Sequence, residues 1–594
     1  MRKFNTLLII LFSLSCAGSL YAEGGVGASG GGGGGAVGSS NPIGGGSSSG
    51  GSSDTSSGTT TSTSTSTTTS DGSSGTSSNT SDSSSTSTGS SSQNSGSSTT
   101  SGGSSSGSSS GGSSSGSGSS SSGGAPTTSV SYVGWCGIVD GARFDVDYAA
   151  TNQFSIGLLF PDGIEPGDPQ VCEAPSGNTC WYVDAAAPDG GDGSFTSPYN
   201  TFDVLVGYEK SGSYHTGQVN GGDYIYLTGT FKSKEMIFGR GTQGGSYAEP
   251  TVIKSYRGQA RAVFDGEFQT TPITIRANGS IRNEGIVVQN IEIKNAKGRG
   301  ISVEELVANV TIAGVEIHDT AIVPGSSTSG AIQFRQTDSV HNHSLCNSLI
   351  YANHRNSNGV GFFTAINNNI GGIGILSETS ALDGSKVTIK GNTIHDEIYS
   401  IRHKHSGNII TEVYSNYLSD SYNGFYLRAY KDNIIHHNVM YDMEVAAVKI
   451  EQENQNGDMN LSFYNNTVMD AKSMIRTGND NTAYAHNVSS YNNIFYNTAT
   501  VTPYSLGPYA SVNFPLTGWS SSNNLYYTAS TVKFLVHQGV NYGFNAGTTV
   551  LGESNSLTTD PQFKDTNPTL PDLRLESSSP AKGSGVGGVD LGAF

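Results

Sequence analysis

The sequence predicts an all-β protein whose folded part, roughly residues 180 to 594, is a right-handed parallel β-helix, a solenoid of short strands. Three observations predict it. An Asn-centred phrase returns through the second half at a spacing that suits one coil. Aliphatic and polar residues alternate over runs of four or five, as half-buried strands require, and no stretch reads as a long helix.

The phrase is a β-branched pair, two or three residues, an Asn and an aliphatic strand, as in Val287-Val288-Gln289-Asn290-Ile291 and Val387-Thr388-Ile389-Lys390-Gly391-Asn392-Thr393-Ile394. It returns around Asn347, Asn416, Asn438, Asn466 and Asn493. From Asn392 the successive intervals are 24, 22, 28 and 27 residues. Each interval holds three short strands and their turns. Asn tolerates a left-handed bend, and its amide can bond to the Asn of the next coil, so the repeat predicts a ladder. The longer gap from Asn347 to Asn392 leaves room for a protruding loop.

A second strand follows in each coil: Gly300–Val303, Gly330–Phe334, Tyr399–Arg402, Gly424–Arg428 and Ala447–Glu451. Alternation sends Ile332, Phe334, Ile401, Phe425, Leu427, Val448 and Ile450 inward. It sends Gln333, Arg335, Arg402, Tyr426, Arg428, Lys449 and Glu451 toward water. The first strands are Trp181–Asp184, Asp223–Leu227 and Thr251–Lys254, and the ending from Asp560 to Phe594 reads as a closing coil.

Ahead of the solenoid stand three different segments. Residues 1–22 carry Arg2 and Lys3, an apolar run from Leu7 to Leu14 and a Leu20-Tyr21-Ala22 end, the build of a secretory signal peptide cleaved after Ala22. Lipid anchoring at Cys16 is the minor alternative. Residues 23–126, almost wholly Gly, Ser and Thr, have too little apolar side chain to offset ordering and read as a disordered tether. Residues 127–180 form a small Cys-containing module or the N-terminal cap. A disulfide is expected among Cys136, Cys172 and Cys180, with Cys172–Cys180 favoured, and Cys346 reads as a buried core residue. The expectation is a secreted monomer with no transmembrane segment.

The chain has a formal net charge of -18, which speaks against a nucleic-acid partner. Against that background Arg402, His403, Lys404, His405, Arg428, Lys431, His436 and His437 fall within 36 residues. A local basic groove on an acidic protein points to an acidic polysaccharide as partner. Tyr422, Tyr426 and Tyr430 are interleaved with these charges and offer rings for sugar, or a phenol proton.

At this point the sequence resembles the right-handed parallel β-helix polysaccharide lyases, most closely the alginate lyase and chondroitinase B family. Glu397-Ile398-Tyr399-Ser400-Ile401-Arg402 is similar to that family's Glu-Ile-Ile-Ser-Val-Lys strand, and Gly424-Phe425-Tyr426-Leu427-Arg428 with Asn433 and Asn438 is similar to its following coil. The resemblance implies that Glu397 is a ligand of a calcium cofactor and Arg428 an assisting arginine. Arg402 stands where the family has its Lys base, and arginine is not readily deprotonated. Lys404, on the same face two residues on, is the amine that can replace it. Neighbouring cations lower its proton affinity, as a base needs, and His403 or His405 is the second candidate.

The expected chemistry is β-elimination from a uronate, in an alginate- or pectin-like polymer. Arg402, Arg428 or calcium neutralises the carboxylate, and Lys404 takes the C5 proton. Tyr426, Tyr430, Arg335 and Lys449 are the expected substrate-binding residues. Two other readings stay open. One is a glycoside hydrolase using paired carboxylates, Glu451 with Glu453 or Asp442 with Glu444; the other is a glycan-binding or adhesin surface protein without catalysis.

Overall fold

The computed structural model describes Cys136, Phe160 and most of residues 162–594, apart from short segments such as 356–370, 378–384, 452–458 and 478–485. The signal peptide, Cys16 and the tether lie outside the described residues.

One face of the solenoid is a sheet of twelve strands, running in chain order from Cys180–Asp184 to Trp519–Ser522, each paired in parallel with the next. The other faces join into one 21-stranded sheet, because strands such as Tyr417–Ala429 and Val439–Ile450 bend round a corner without a break. The fold is the right-handed parallel β-helix that the alternation predicts. Inward residues from all faces, including Ile253, Ile312, Ile389, Ile401, Phe425, Val448 and Phe463, form one continuous buried column. Their β-branched and aromatic side chains suit a pleated sheet buried on one face.

The ladder is present, with one change of membership. Asn392, Asn416, Asn438, Asn466 and Asn493 each donate a side-chain hydrogen bond of 2.9–3.1 Å to the Asn of the next rung, the last of them to Asn524. The left-handed residue is the one before each: Gly391, Ser415, His437, Asn465, Asn492 and Asn523 all have φ between 50° and 65°. Asn290 and Asn347 occupy this bend position instead, and Ser348 takes the rung, its N–H donating to Asn392 Oδ1 at 3.0 Å. The Asn of the phrase therefore stands one residue ahead of the rung at Asn290 and Asn347.

The ends are closed locally. Phe202, Leu205 and Val206, on and beside the short helix Asp203–Val206, are buried against the first rungs. At the other end the hairpin Leu535–His537/Val540–Tyr542 and the helix Phe544–Leu551 pack Phe534 and Phe544 on Tyr526. The final residues are not a closing coil. They fold back along the flank, where Leu591 and Ala593 join Val439, Met469 and Ile494, and the Ala593 N–H donates to Thr467 Oγ1 at 3.0 Å.

Residues 162–180 lie across the outer face of the first rungs. The fully buried Lys254 ammonium is held by Glu165 at 2.7 Å and Glu173 at 2.8 Å, the pairing that a buried charge needs. Cys172 bonds to Cys180 as favoured. Cys346 is buried but bonded, to Cys136, 210 residues away, and that correction ties the leading segment to the sixth rung of the twelve-stranded sheet. Among the described residues no helix is long and apolar enough to cross a membrane.

Candidate active site

The candidate site is built on the strand Tyr399–His405 and the second halves of Tyr417–Ala429 and Val439–Ile450. Parallel register places Arg402 beside Tyr426, Tyr426 beside Lys449, and Lys449 beside Arg476, one rung apart each. At a strand spacing of about 4.8 Å these four form a column along the solenoid axis. A second column, two residues on, pairs Lys404 with Arg428. Since Ile401, Phe425 and Val448 are in the core, all of these cationic positions belong to the opposite, outer face.

The cations gather on one ring. Lys449 Nζ lies 4.8 Å, Arg402 Cζ 5.3 Å and Arg428 Cζ 5.6 Å from the Tyr426 centroid. Tyr399 stacks on the same ring, centroids 4.6 Å apart and planes at 15°. Burial raises the Tyr399 phenol above its ordinary pKa, an effect that Arg402 opposes and Glu451 reinforces. Glu451 supplies the opposite charge, 3.8 Å from Arg428 and 3.4 Å from Lys449.

Several expectations change in this setting. Arg402, Tyr426 and Gln333 do lie on the outer side of the sheet but are 0%, 2% and 1% exposed, so they do not face water. Tyr426 therefore presents no ring to a sugar, being surrounded by cations and Tyr399. His403 has the parity of Ile401 and points into the solenoid, where its Nδ1 lies 2.8 Å from Asn433 Oδ1 and 3.1 Å from Thr411 Oγ1. It is a polar member of the interior and out of reach of a ligand on the outer face.

Lys404 is partly exposed on the outer face beside Arg428. Arg335 lies two rungs from Lys404 in the same column, 4.0 Å from Glu304. The backbone of His405 pairs with Ala429, while its side chain, Tyr430 and Lys431 lie outside the described residues. Arg476, the fourth residue of the first column, was missed. Its Ser473–Thr477 strand has the same alternation, but it lies outside the basic run of residues 402–437.

Glu397 belongs to a corner ladder. Its Oε1 accepts from the Asn353 backbone N–H at 3.1 Å and side chain at 2.8 Å, and its own N–H donates to Ser421 Oγ at 3.2 Å. Gly371, at φ +99°, leaves it room: a Cβ there would come within 2.6 Å of Oε2. Burial raises the Glu397 carboxyl above its ordinary range, opposed by His354 and Asn353. Calcium asks for six or more oxygens. The groups recorded at this carboxylate are the Asn353 N–H donors and the His354 ring, and among the described residues no three His, Cys, Asp or Glu side chains gather as a metal site. Among the described residues, the groups at this carboxylate do not fit the ion.

Of the two carboxylate pairs a hydrolase would use, Asp442 and Glu444 sit at a different corner, where burial and then Asp420 and Asp470 raise the Asp442 carboxyl pKa and Glu444 stands close enough to add to it. In the other pair, Glu451 is engaged with Arg428 and Lys449, and Glu453 lies outside the described residues.

No family model matches the sequence, and no curated protein matches it. Among solved structures, a pectate lyase, Pel9A, is 14% identical with a TM-score of 0.41, covering 74% of this chain and 98% of its own. A mannuronic acid specific family 6 polysaccharide lyase from human gut microbiota is 13% identical with a TM-score of 0.35, covering 58% and 83%. A family 6 lyase from Pseudopedobacter saltans is 14% identical with a TM-score of 0.34, covering 64% and 96%. At these values no residue role is carried over from any of them.

Proposed function

We propose that the chain is an exported polysaccharide lyase that cleaves a uronate-containing acidic polymer, alginate- or pectin-like, by β-elimination. The observation that carries this reading is the convergence of Arg402, Lys404, Arg428 and Lys449 on adjacent rungs of one outer face. In an acidic protein such a cluster favours a polyanion.

Each step has a residue suited to it. The Arg428 guanidinium, partly exposed, meets the uronate carboxylate and so acidifies C5, with the buried Arg402 adding only its positive field. The Lys404 amine takes the C5 proton, the electron pair forms the C4–C5 double bond, and the C4–O bond breaks, with solvent protonating the departing oxygen. Lys449 and Arg476 extend the positive column toward neighbouring sugars. No step passes through calcium. Export follows from the signal peptide read in residues 1–22, with the Gly/Ser/Thr stretch as tether.

The deciding experiment is incubation with alginate, pectin and glycosaminoglycans. The expected result is an unsaturated product absorbing in the ultraviolet. New reducing ends without that chromophore would overturn the reading in favour of hydrolysis, and polymer binding without cleavage would favour a non-catalytic glycan-binding protein.

A further inference from the structure

We infer that Tyr426 is a positioning residue whose ring face, and not its hydroxyl, gathers Arg402, Arg428 and Lys449 into one site. The inference rests on the lyase reading for its catalytic consequence, while its effect on polyanion binding is independent of that reading.

The ring is 2% exposed, which removes it as a sugar platform. Around it, three positive groups lie within 4.8–5.6 Å of the centroid. Cations this close repel one another, and Glu451 offsets part of that charge at Arg428 and Lys449. The negative face of an aromatic ring attracts cations most strongly where water is excluded, and Arg402 is fully buried. Tyr399 stacks on this ring, and Ile398 and Ile322 share its small apolar cluster, so the ring is fixed in place. A fixed ring sets the separation of the cations; a flexible aliphatic side chain at the same position does not.

The test compares Tyr426→Phe with Tyr426→Leu and Tyr426→Met, the last filling the space without a ring face. Each is measured for thermal unfolding, for the salt at which it elutes from immobilised alginate and polygalacturonate, and for kcat and KM across pH. Tyr426→Phe is expected to keep elution and kcat within about threefold of the parent, with an unchanged pH profile. Tyr426→Leu and Tyr426→Met are expected to elute at lower salt and to lose kcat by on the order of 30-fold, the scale of one desolvated cation–π contact. Loss in Tyr426→Phe equal to that in Tyr426→Leu overturns the inference and gives the hydroxyl the chemical role. Parent-like behaviour of a folded Tyr426→Leu or Tyr426→Met also overturns it. If the parent binds polyanions without cleaving them, the lyase reading fails while the elution series still decides the role of Tyr426. A parent that neither cleaves nor binds overturns both.

Discussion

Glu451 stands 3.4 Å from Lys449, with both side chains partly exposed, and it is also 3.8 Å from Arg428. This carboxylate tempers the positive field of the site while costing little if lost, since partly exposed ion pairs contribute about 0–1 kcal/mol. Glu451→Gln should therefore change unfolding free energy by less than about 1 kcal/mol and tighten retention on an anionic polymer by up to roughly fivefold at low salt. The gain should disappear in high salt. Unchanged or weaker retention at low salt would argue against polyanion binding at this face.

Lys404 is the only amine in the second column beside Arg428 among the described residues. Replacing a general base costs on the order of 100- to 10,000-fold in rate. Lys404→Ala should lose kcat on that scale while its thermal midpoint stays near the parent value and polymer retention weakens by no more than the roughly fivefold expected of one charge. Wild-type turnover in this variant would remove Lys404 from the chemistry.

The ladder gives two asparagines of the same sequence phrase unequal weight. Asn438 donates to Val413 O at 2.9 Å, His436 O at 3.0 Å and Asn466 Oδ1 at 3.1 Å, while its own Oδ1 accepts from Asn416. Asn438→Ala leaves several buried partners unpaired, at about 1–3 kcal/mol each before relaxation. Denaturant unfolding should show a loss of about 3 kcal/mol or more. Asn347 holds only the bend, at φ 50°, so Asn347→Gly should cost less than about 1 kcal/mol.

His318 offers a pH test. Burial lowers its pKa, but hydrogen bonds and charges from Asp319 and Glu292 more than compensate and carry it up to about 9. Lys294 and Arg355 also face this group of carboxylates, and Tyr351 stacks on the ring. The folded-state pKa exceeds the ordinary value of about 6.5, so the contribution is complete below about 6.5 and is lost as pH rises toward 9. The thermal midpoint should fall over that interval in the parent and fall less in His318→Gln. Equal slopes would contradict the assignment.

The Cys136–Cys346 bond closes a loop of 210 residues. On the chain-entropy model such a constraint stabilises by up to roughly 5 kcal/mol. Cys136→Ser with Cys346→Ala should lower the thermal midpoint, and a reducing agent should lower it more in the parent than in the double variant, which keeps only Cys172–Cys180.

The solenoid was legible because its signals are local. Strand alternation placed Ile401, Phe425 and Val448 in the core, and the Asn interval marked the rungs. Parity also placed Arg402, Tyr426 and Lys449 on one outer face. The same parity puts His403 inward beside Ile401, which is why it fails as the candidate base that its chemistry suggests. Burial of Arg402 and Tyr426 was not legible, since it depends on what packs over the sheet and not on alternation within a strand. The same limit applies to Cys346, whose partner lies 210 residues away, and to Glu397, whose environment is made by Asn353 on the preceding rung.

The hydrogen-bonded asparagines have a consequence for how such a protein can vary. Intervals of 24, 22, 28, 27 and 31 residues separate neighbours that nevertheless meet at the same distance. Turn length is thereby uncoupled from axial rise. Segments between rungs can be lengthened, shortened or exchanged to reshape what borders the cationic columns, while the columns keep their pitch.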